Sequence, residues 1–276
     1  MELKNATCLV TGSSRGIGRA LVLELADRGA AVWAGSRDPA ALSDISQEGV
    51  HPIELDVTDR ESVEAAVATL GDVDLLINNA GYGVEGAIEE VEDDDLLEQF
   101  EVNVFGTWRL CRAVLPSMRA RACGTIVNIS SFGGQAPFPG IGAYRSSKFA
   151  VEGLTWTLHL EVAHFGIRVL SVQPGSTASD FDESMRRARG FDEEGPYAAM
   201  REVAARAYPV MSPTAMTSEH VARLTVDEVS RPEGPLHLRL GADAHWMTSS
   251  ITAGDEEYER LLVEDLGFDW HPRRRL

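Results

Sequence analysis

The feature that most constrains this chain is an alternation of short, nearly unbroken apolar runs with stretches of helical periodicity. The runs fall at 7–11 (TCLVT), 31–35 (AVWAG), 51–55 (HPIEL), 73–78 (VDLLIN), 125–130 (TIVNIS), 167–172 (IRVLSV) and 236–240 (LHLRL). Each is too short for a helix, and most lack the polar alternation of a strand wetted on one face, so they suit strands buried on both. Between the first six, residues 17–28, 60–70, 93–119 and 144–165 repeat apolar side chains at helical spacing. Gly29 and Gly166 stand where C-terminal caps belong. Strand and helix in alternation predict an α/β fold, a parallel sheet with helices on both faces. No repeat or low-complexity linker divides the 276 residues, so one domain over 1–276 is expected. Two segments break the rhythm. Residues 176–218 carry scattered aromatics and methionines, and a connection that long reads as a lid over a substrate site. Residues 241–276 form a C-terminal extension whose end, Arg273–Arg275, reads as a solvated terminus.

Directly after the first run stand Gly12, Ser13, Ser14, Arg15, Gly16, Ile17 and Gly18, leading into a helix. Glycines here let the backbone turn sharply and let a pyrophosphate approach the helix N-terminus, where free N–H groups and the helix dipole hold it. The spacing is G-x-x-x-G-x-G, and its place after the first strand points to dinucleotide binding. The end of the second run then bears on which nucleotide. A site for NAD places an acidic residue about 20 residues on, whereas a 2′-phosphate calls for arginine. Here Ser36 occupies the acidic position and Arg37 follows it, with Arg15 able to close from the other side; Asp38 is the dissenting neighbour. NADP(H) is therefore expected in preference to NAD(H).

Twenty-three of the 25 cationic residues are arginine; the two lysines are Lys4 and Lys148. Lys148 lies four residues after Tyr144 at the start of a predicted helix, so ring and ammonium share a face. A nearby cation favours the phenolate and would pull a tyrosine down from about 10. The result is a group able to exchange a proton with an alcohol or carbonyl oxygen. A lysine kept in so arginine-rich a chain suggests a task that guanidinium cannot perform.

Taken together, residues 11–18, Asn78-Asn79-Ala80-Gly81, Asn103, Ser131, Tyr144-x-x-x-Lys148 and Pro174-Gly175 resemble the single-domain branch of the short-chain dehydrogenase/reductase family, in its order and spacing over about residues 5–180. The resemblance implies a Rossmann-like, doubly wound, seven-stranded parallel sheet and hydride exchange between a nicotinamide and a carbonyl or hydroxyl carbon. It implies Tyr144 as the acid/base and Ser131 as the group that positions the substrate oxygen. Lys148 would bind the nicotinamide ribose and lower the Tyr144 pKa, and Asn103 would hold a proton-relay water. Asp56 and Val57 would meet the adenine, while Asn79, Ala80 and Gly81 would back the ribose. Pro174 and Gly175 would shape the nicotinamide floor, with either Thr177 or Ser179 meeting its amide. Ser131 is chosen over Ser130 because it lies thirteen residues before Tyr144, just past the strand end; Ser130 reads as a satisfied strand residue.

Apolar side chains complete the expectation for the substrate. Phe138, Pro139 and Ile141 follow Ser131, and the lid offers Phe181, Met185, Met200 and Met211, which suit a substrate apolar around its carbonyl. The expected activity is thus that of an NADP-dependent oxidoreductase acting on a small-molecule ketone or secondary alcohol. The alternatives are a reductase of carrier- or CoA-bound 3-ketoacyl chains, for which Arg119, Arg121 and residues 186–189 offer the basic side chains, and a nucleotide-binding sensor without turnover. A net charge of −18 argues against nucleic acid or an anionic membrane as partner. Three cysteines without metal or disulfide spacing, and no leader or membrane segment, predict a reduced cytoplasmic setting and no metal site. Apolar residues on more than one face of the 93–119 and 144–165 helices (Trp108, Val151, Leu154, Leu158 and Val162) predict a homo-oligomer, a dimer in preference to a tetramer.

Overall fold

All seven apolar runs become strands of one parallel sheet in the computed structural model, which describes residues 1–45, 47–179, 181–211 and 214–268. They are β1 (Thr7–Thr11), β2 (Ala31–Ser36), β3 (Val50–Glu54), β4 (Leu75–Asn78), β5 (Gly124–Ile129), β6 (Ile167–Pro174) and β7 (His237–Leu240). Their spatial order is β7-β6-β5-β4-β1-β2-β3. The order reverses between β1 and β4, where Val10 stands beside Ile77, and the crevice for a ligand opens beyond the C-terminal ends of those strands.

Neighbouring residues of a strand feed opposite layers, which is why the runs are apolar without interruption. Val10, Val32 and Leu170 pack against Leu21 and Leu25 of α1 (Gly16–Asp27) and Val221 and Val226 of α7 (Ser218–Ser230). Leu9, Leu76, Ile126 and Val169 pack instead against α2 (Arg60–Leu70), α4 (Thr107–Arg121) and α5 (Gly142–Val162), through Val63, Leu110, Met118 and Leu158.

The helix expected over 93–119 is not one α-helix. It consists of α3 (Asp93–Phe100), a π-helical segment Glu101–Gly106 and α4. The wider turn carries Asn103 towards the loop after β4 and lets Gly106 approach Val57 so closely that a Cβ would lie 2.8 Å from its Cγ2.

The segment expected to form a lid and the extension are parts of one further core. α6 (Ala198–Met211), α8 (Ala242–Thr252) and α9 (Asp255–Arg260) join Val203, Met211, Met247, Tyr258, Leu261 and Phe268 to Phe132 and Phe138 of the loop after β5. The extension is therefore a wall of the molecule up to Phe268; Arg273–Arg275 lie outside the described residues. The helix faces need a similar correction. Leu158 and Val162 are buried in the chain's own core, Val151 is buried and Leu154 half-buried, and the exposed large apolar residues of these segments are Leu96, Leu97, Phe105, Trp108, Phe149, Trp156 and Leu160. Among the described residues no helix is long and apolar enough to cross a membrane.

Candidate active site

The glycine turn is built by close approach. Gly12 has φ +65°, and a Cβ there would lie 2.8 Å from Ala80 Cα; a Cβ on Gly18 would lie 2.2 Å from Gly12 O. The loop after β4 holds this turn in place. Thr11 Oγ1 accepts from the N–H groups of Asn79 (3.0 Å) and Ala80 (2.9 Å), and Asn79 Nδ2 donates to Thr11 O and Gly12 O at 3.0 and 3.1 Å. At the opening of α1, Arg15 stands at the cap position without a side-chain capping bond, so the first N–H groups remain for a ligand. Gly12, Ser14, Arg15, Gly16, Ile17 and Gly18 all line the cleft. Ser13 does not. Its hydroxyl donates to Val10 O at 2.8 Å and its N–H to Gly35 O at 3.1 Å, so it braces the turn from inside the fold.

The cleft measures about 1040 Å³. At one end, Ser36, Arg37, Asp56 and Val57 line it. Arg37 is exposed and forms no ion pair with any described residue. Asp38, the dissenting carboxylate, accepts from Ala40 N–H at 2.9 Å and so caps the turn Pro39–Leu42, while Ser36 Oγ accepts from Asp38 N–H at 3.2 Å. Arg15 reaches the other way and donates to Ser184 Oγ of the lid at 2.8 Å. Asp56 Oδ1 accepts from both the N–H and the hydroxyl of Thr58, at 2.9 and 2.7 Å. Glycines that must be bare and helix N–H groups without a side-chain cap together fit the pyrophosphate of a dinucleotide.

Farther along, Ala80 and Gly81 lead to Ser131, Tyr144 and Lys148, all lining the cleft. Ser131 caps the short turn Phe132–Gly134 by accepting from Gly133 N–H at 3.0 Å. Burial drives the Tyr144 phenol above its ordinary value; a side-chain hydrogen bond with Ser131 and the charge of Arg145 act against it. Lys148 stands one helical turn on, on the face that the spacing predicts. Its Nζ lies 5.8 Å from the Tyr144 ring centroid and donates to Ile129 O at 2.8 Å. Burial pushes the ammonium down to about 8, with Glu152 one helical turn on opposing. Burial would raise the Glu152 carboxyl, but His237, Ser130, Ser171 and Gln173 around it hold it below the ordinary value. Ser130 thus faces the interior of the sheet as well as the cleft.

Asn103 stands behind the site. Its Oδ1 accepts from Tyr82 N–H at 3.1 Å, and its Nδ2 donates to Tyr82 O at 2.9 Å and Ser147 Oγ at 3.0 Å. It does not line the cleft; it ties the loop after β4 to α5. On the floor, Gly175 is held bare by Asp243, whose Oδ1 would lie 1.9 Å from a Cβ. Pro174, Thr177 and Ser179 also line the cleft, but the Thr177 hydroxyl donates to Gly175 O at 3.1 Å. Ser179 faces Gly16, with its Cβ 3.6 Å from where a Gly16 Cβ would lie.

At the far end Phe138, Pro139, Ile141, Phe181 and Met185 form apolar walls, and the Phe181 and Tyr144 rings lie 5.4 Å apart. Met200 is not part of this lining, and Met211 is buried in the third core. The lid is clamped by charge: Arg201 Nη1 donates to both Glu90 oxygens at 2.9 Å, and Arg189 pairs with Asp95 at 3.2 Å and Glu98 at 2.7 Å. Lining residues that went unassigned in the sequence include Arg145, Tyr82, Phe132, Arg201 and Tyr208. A signal for Arg145 was present, since Arg145, Lys148 and Glu152 fall on one helical stripe that also faces the core.

Comparison with known proteins gives the same picture. Residues 6–190 match the family model described as short chain dehydrogenase. The oxidoreductase BOA17 of Botryotinia fuckeliana is 34% identical over 267 residues, covering 92% of this chain and 97% of that protein. A short-chain dehydrogenase from Streptomyces avermitilis superposes with a TM-score of 0.84 at 35% identity, over 96% of this chain and 98% of the other. One from Burkholderia cenocepacia, solved in complex with NADP, gives 0.76 at 26% identity, over 96% and 99%.

Proposed function

The chain belongs to the short-chain dehydrogenase family and is an NAD(P)-dependent oxidoreductase, and from that premise we propose that it interconverts a ketone and a secondary alcohol on an apolar small molecule, with NADP(H) as cofactor. The observation that carries the reading is the meeting of Ser131, Tyr144 and Lys148 in one cleft with the glycine turn. When bound, the nicotinamide supplies the hydride exchange. The chain's own part is to hold and to protonate. Gly12, Gly16, Gly18 and the start of α1 take the pyrophosphate, Arg37 the 2′-phosphate, Asp56 and Val57 the adenine, and Asn79, Ala80 and Gly81 the ribose. Lys148 holds the nicotinamide ribose, while Pro174 and Gly175 give the floor beneath the ring. Ser131 donates to the substrate oxygen. Tyr144, kept protonated by burial, is the proton donor when that oxygen becomes an alcohol. Asn103 acts on this site by positioning the loop at Tyr82.

The preference for NADP(H) is supported by Arg37 having no ion pair among the described residues and by Asp38 accepting the capping bond; the Burkholderia cenocepacia protein was solved in complex with NADP. A free ketone is favoured over a carrier-bound chain because the basic side chains of residues 186–189 answer to the chain's own acids, and Arg119 and Arg121 do not line the cleft. Arg186 pairs with Glu98, Arg187 with Glu193, Arg189 with Asp94, Asp95 and Glu98, and Arg121 with Asp72 and Asp74. The exposed stripe of Phe105, Trp108, Phe149, Trp156 and Leu160 supports a homodimer through α4 and α5. Free cysteines at Cys8, Cys111 and Cys123 agree with a reduced cytoplasmic setting. The test is a panel of aryl and alkyl ketones followed by NADPH absorbance. Turnover of hydrophobic ketones is expected, and no NADPH consumption with any ketone would overturn the reading.

A further inference from the structure

Four other arginines line the cleft besides Arg145. Arg201 has Glu90 and Arg186 has Glu98, Arg37 stands in water, and Arg15 is tied to Ser184. Arg145 differs from all of them. It is 5% exposed, and no carboxylate among the described residues lies within ion-pair distance. Nη1 donates to Ala136 O at 2.8 Å, the one hydrogen bond of the guanidinium among the described residues; Nε is buried without a partner. The guanidinium lies 4.6 Å from the Phe132 ring centroid and 5.7 Å from that of Phe138. Buried charges are as a rule paired, because an uncompensated one carries the full cost of leaving water. Guanidinium does not escape by deprotonating. A structural arginine would be expected to complete its fork against backbone or a side chain, and this one, which lines the cleft, leaves Nε without a partner.

We propose that Arg145 receives a carboxylate of the substrate, so that the molecule reduced or oxidised is an oxo or hydroxy acid with an apolar body. The proposal rests on the functional reading above and narrows its substrate class. Consecutive residues of a helix project about 100° apart, so Arg145 and Tyr144 border the same cleft on different walls. The carboxylate is thus held away from the reacting oxygen on Tyr144 and Ser131. The chemistry of the walls favours a carboxylate over a phosphate. A planar, singly charged group matches the guanidinium fork, whereas a dianion would bring a second charge in among Phe132, Phe138 and Tyr208 without a second cation to meet it. The aliphatic or aryl body of the acid then has Phe138, Pro139, Ile141 and Phe181 to lie against.

Calorimetry on the NADP-loaded protein tests this with a dead-end pair, 4-phenylbutanoate and 4-phenylbutanamide, which share a shape and differ in charge. The acid is expected to bind roughly ten- to a hundredfold more tightly, the range for a hydrogen bond to a charged group. In Arg145→Met that ratio should fall to near one. Arg145→Lys, which keeps a cation without the fork, should give an intermediate ratio and serves if the Met variant does not fold. Equal affinity of the two probes in the wild type would overturn the proposal, and so would a ratio unchanged in either variant. The measurement requires no turnover, so its failure is distinct from that of the reductase reading, which is decided by NADPH consumption.

Discussion

Replacing Arg37 by aspartate should invert the choice of nucleotide. Arg37 is exposed at the end of β2 with no ion pair to lose, so the substitution should leave folding intact. A hydrogen bond to a charged group contributes about 1.5–3 kcal/mol, which is roughly 10- to 150-fold in affinity for a nucleotide carrying the 2′-phosphate. The introduced carboxylate adds repulsion of about 1 kcal/mol per unit charge at 4 Å in water. NADH meets neither effect, and its ribose hydroxyls gain an acceptor. The ratio of kcat/KM for NADPH over NADH should therefore fall at least tenfold and as far as several hundredfold. Because the site is open to solvent, the wild-type preference should also shrink as the Debye length drops from about 30 Å at 0.01 M salt to about 8 Å at 0.15 M. Initial rates with each nucleotide, at both salt concentrations, give all four numbers. Equal kcat/KM for the two nucleotides in the wild type, or a ratio that Arg37→Asp leaves in place, would refute the assignment.

Three further outcomes follow from the same contacts. Lys148 has its pKa lowered from 10.5 to about 8 by burial, so the folded chain carries a penalty for the ammonium that is complete below pH 8 and relieved as pH rises towards 10.5. Urea unfolding of the cofactor-free protein should accordingly show wild type gaining about 3 kcal/mol on Lys148→Met between pH 7.5 and 10.5, and a constant gap would contradict it. Glu90→Ala would leave Arg201, whose side chain is 14% exposed, without its carboxylate and unclamp the lid; a loss of about 3 kcal/mol or more in stability and a raised KM for ketones are expected, against which an unchanged urea midpoint would count. Trp156→Glu places a charge on the exposed stripe of α5 (Trp156 is 58% exposed), and light scattering should show a dimeric wild type becoming monomeric; a wild type of one-chain mass would remove the dimer.

The sheet was open to reading because burial on both faces writes itself along a strand: Leu9 and Val10 serve opposite layers, and so do Leu76 and Ile77. The glycine turn was legible for a similar reason, since Gly12 and Gly18 have no room for a Cβ. What escaped depends on groups far apart in the chain. The π-helical segment differs from an α-helix by one residue per turn, too little to disturb the periodicity over 93–119. Ser13 and Val151 sit at plausible positions for a ligand and a partner, and only the direction of the side chain shows that they face inward. The Tyr144–Lys148 spacing put the two on one helix face, yet the direction of the Tyr144 shift is set by burial, which spacing does not reveal. The Asp38 carboxylate caps the turn Pro39–Leu42, a contact that its position in the sequence does not reveal.

The central claim is that Tyr144 is the proton donor of a ketone reductase, and Tyr144→Phe tests it most directly. The variant keeps the ring that packs 5.4 Å from Phe181 and loses only the hydroxyl. NADPH affinity, read by the fluorescence of the bound nucleotide, should stay within about threefold of wild type, while kcat for a hydrophobic ketone should fall by about 10²–10⁴, the usual worth of a general acid. Loss of turnover with nucleotide binding intact is the predicted result; turnover near the wild-type rate would contradict the account.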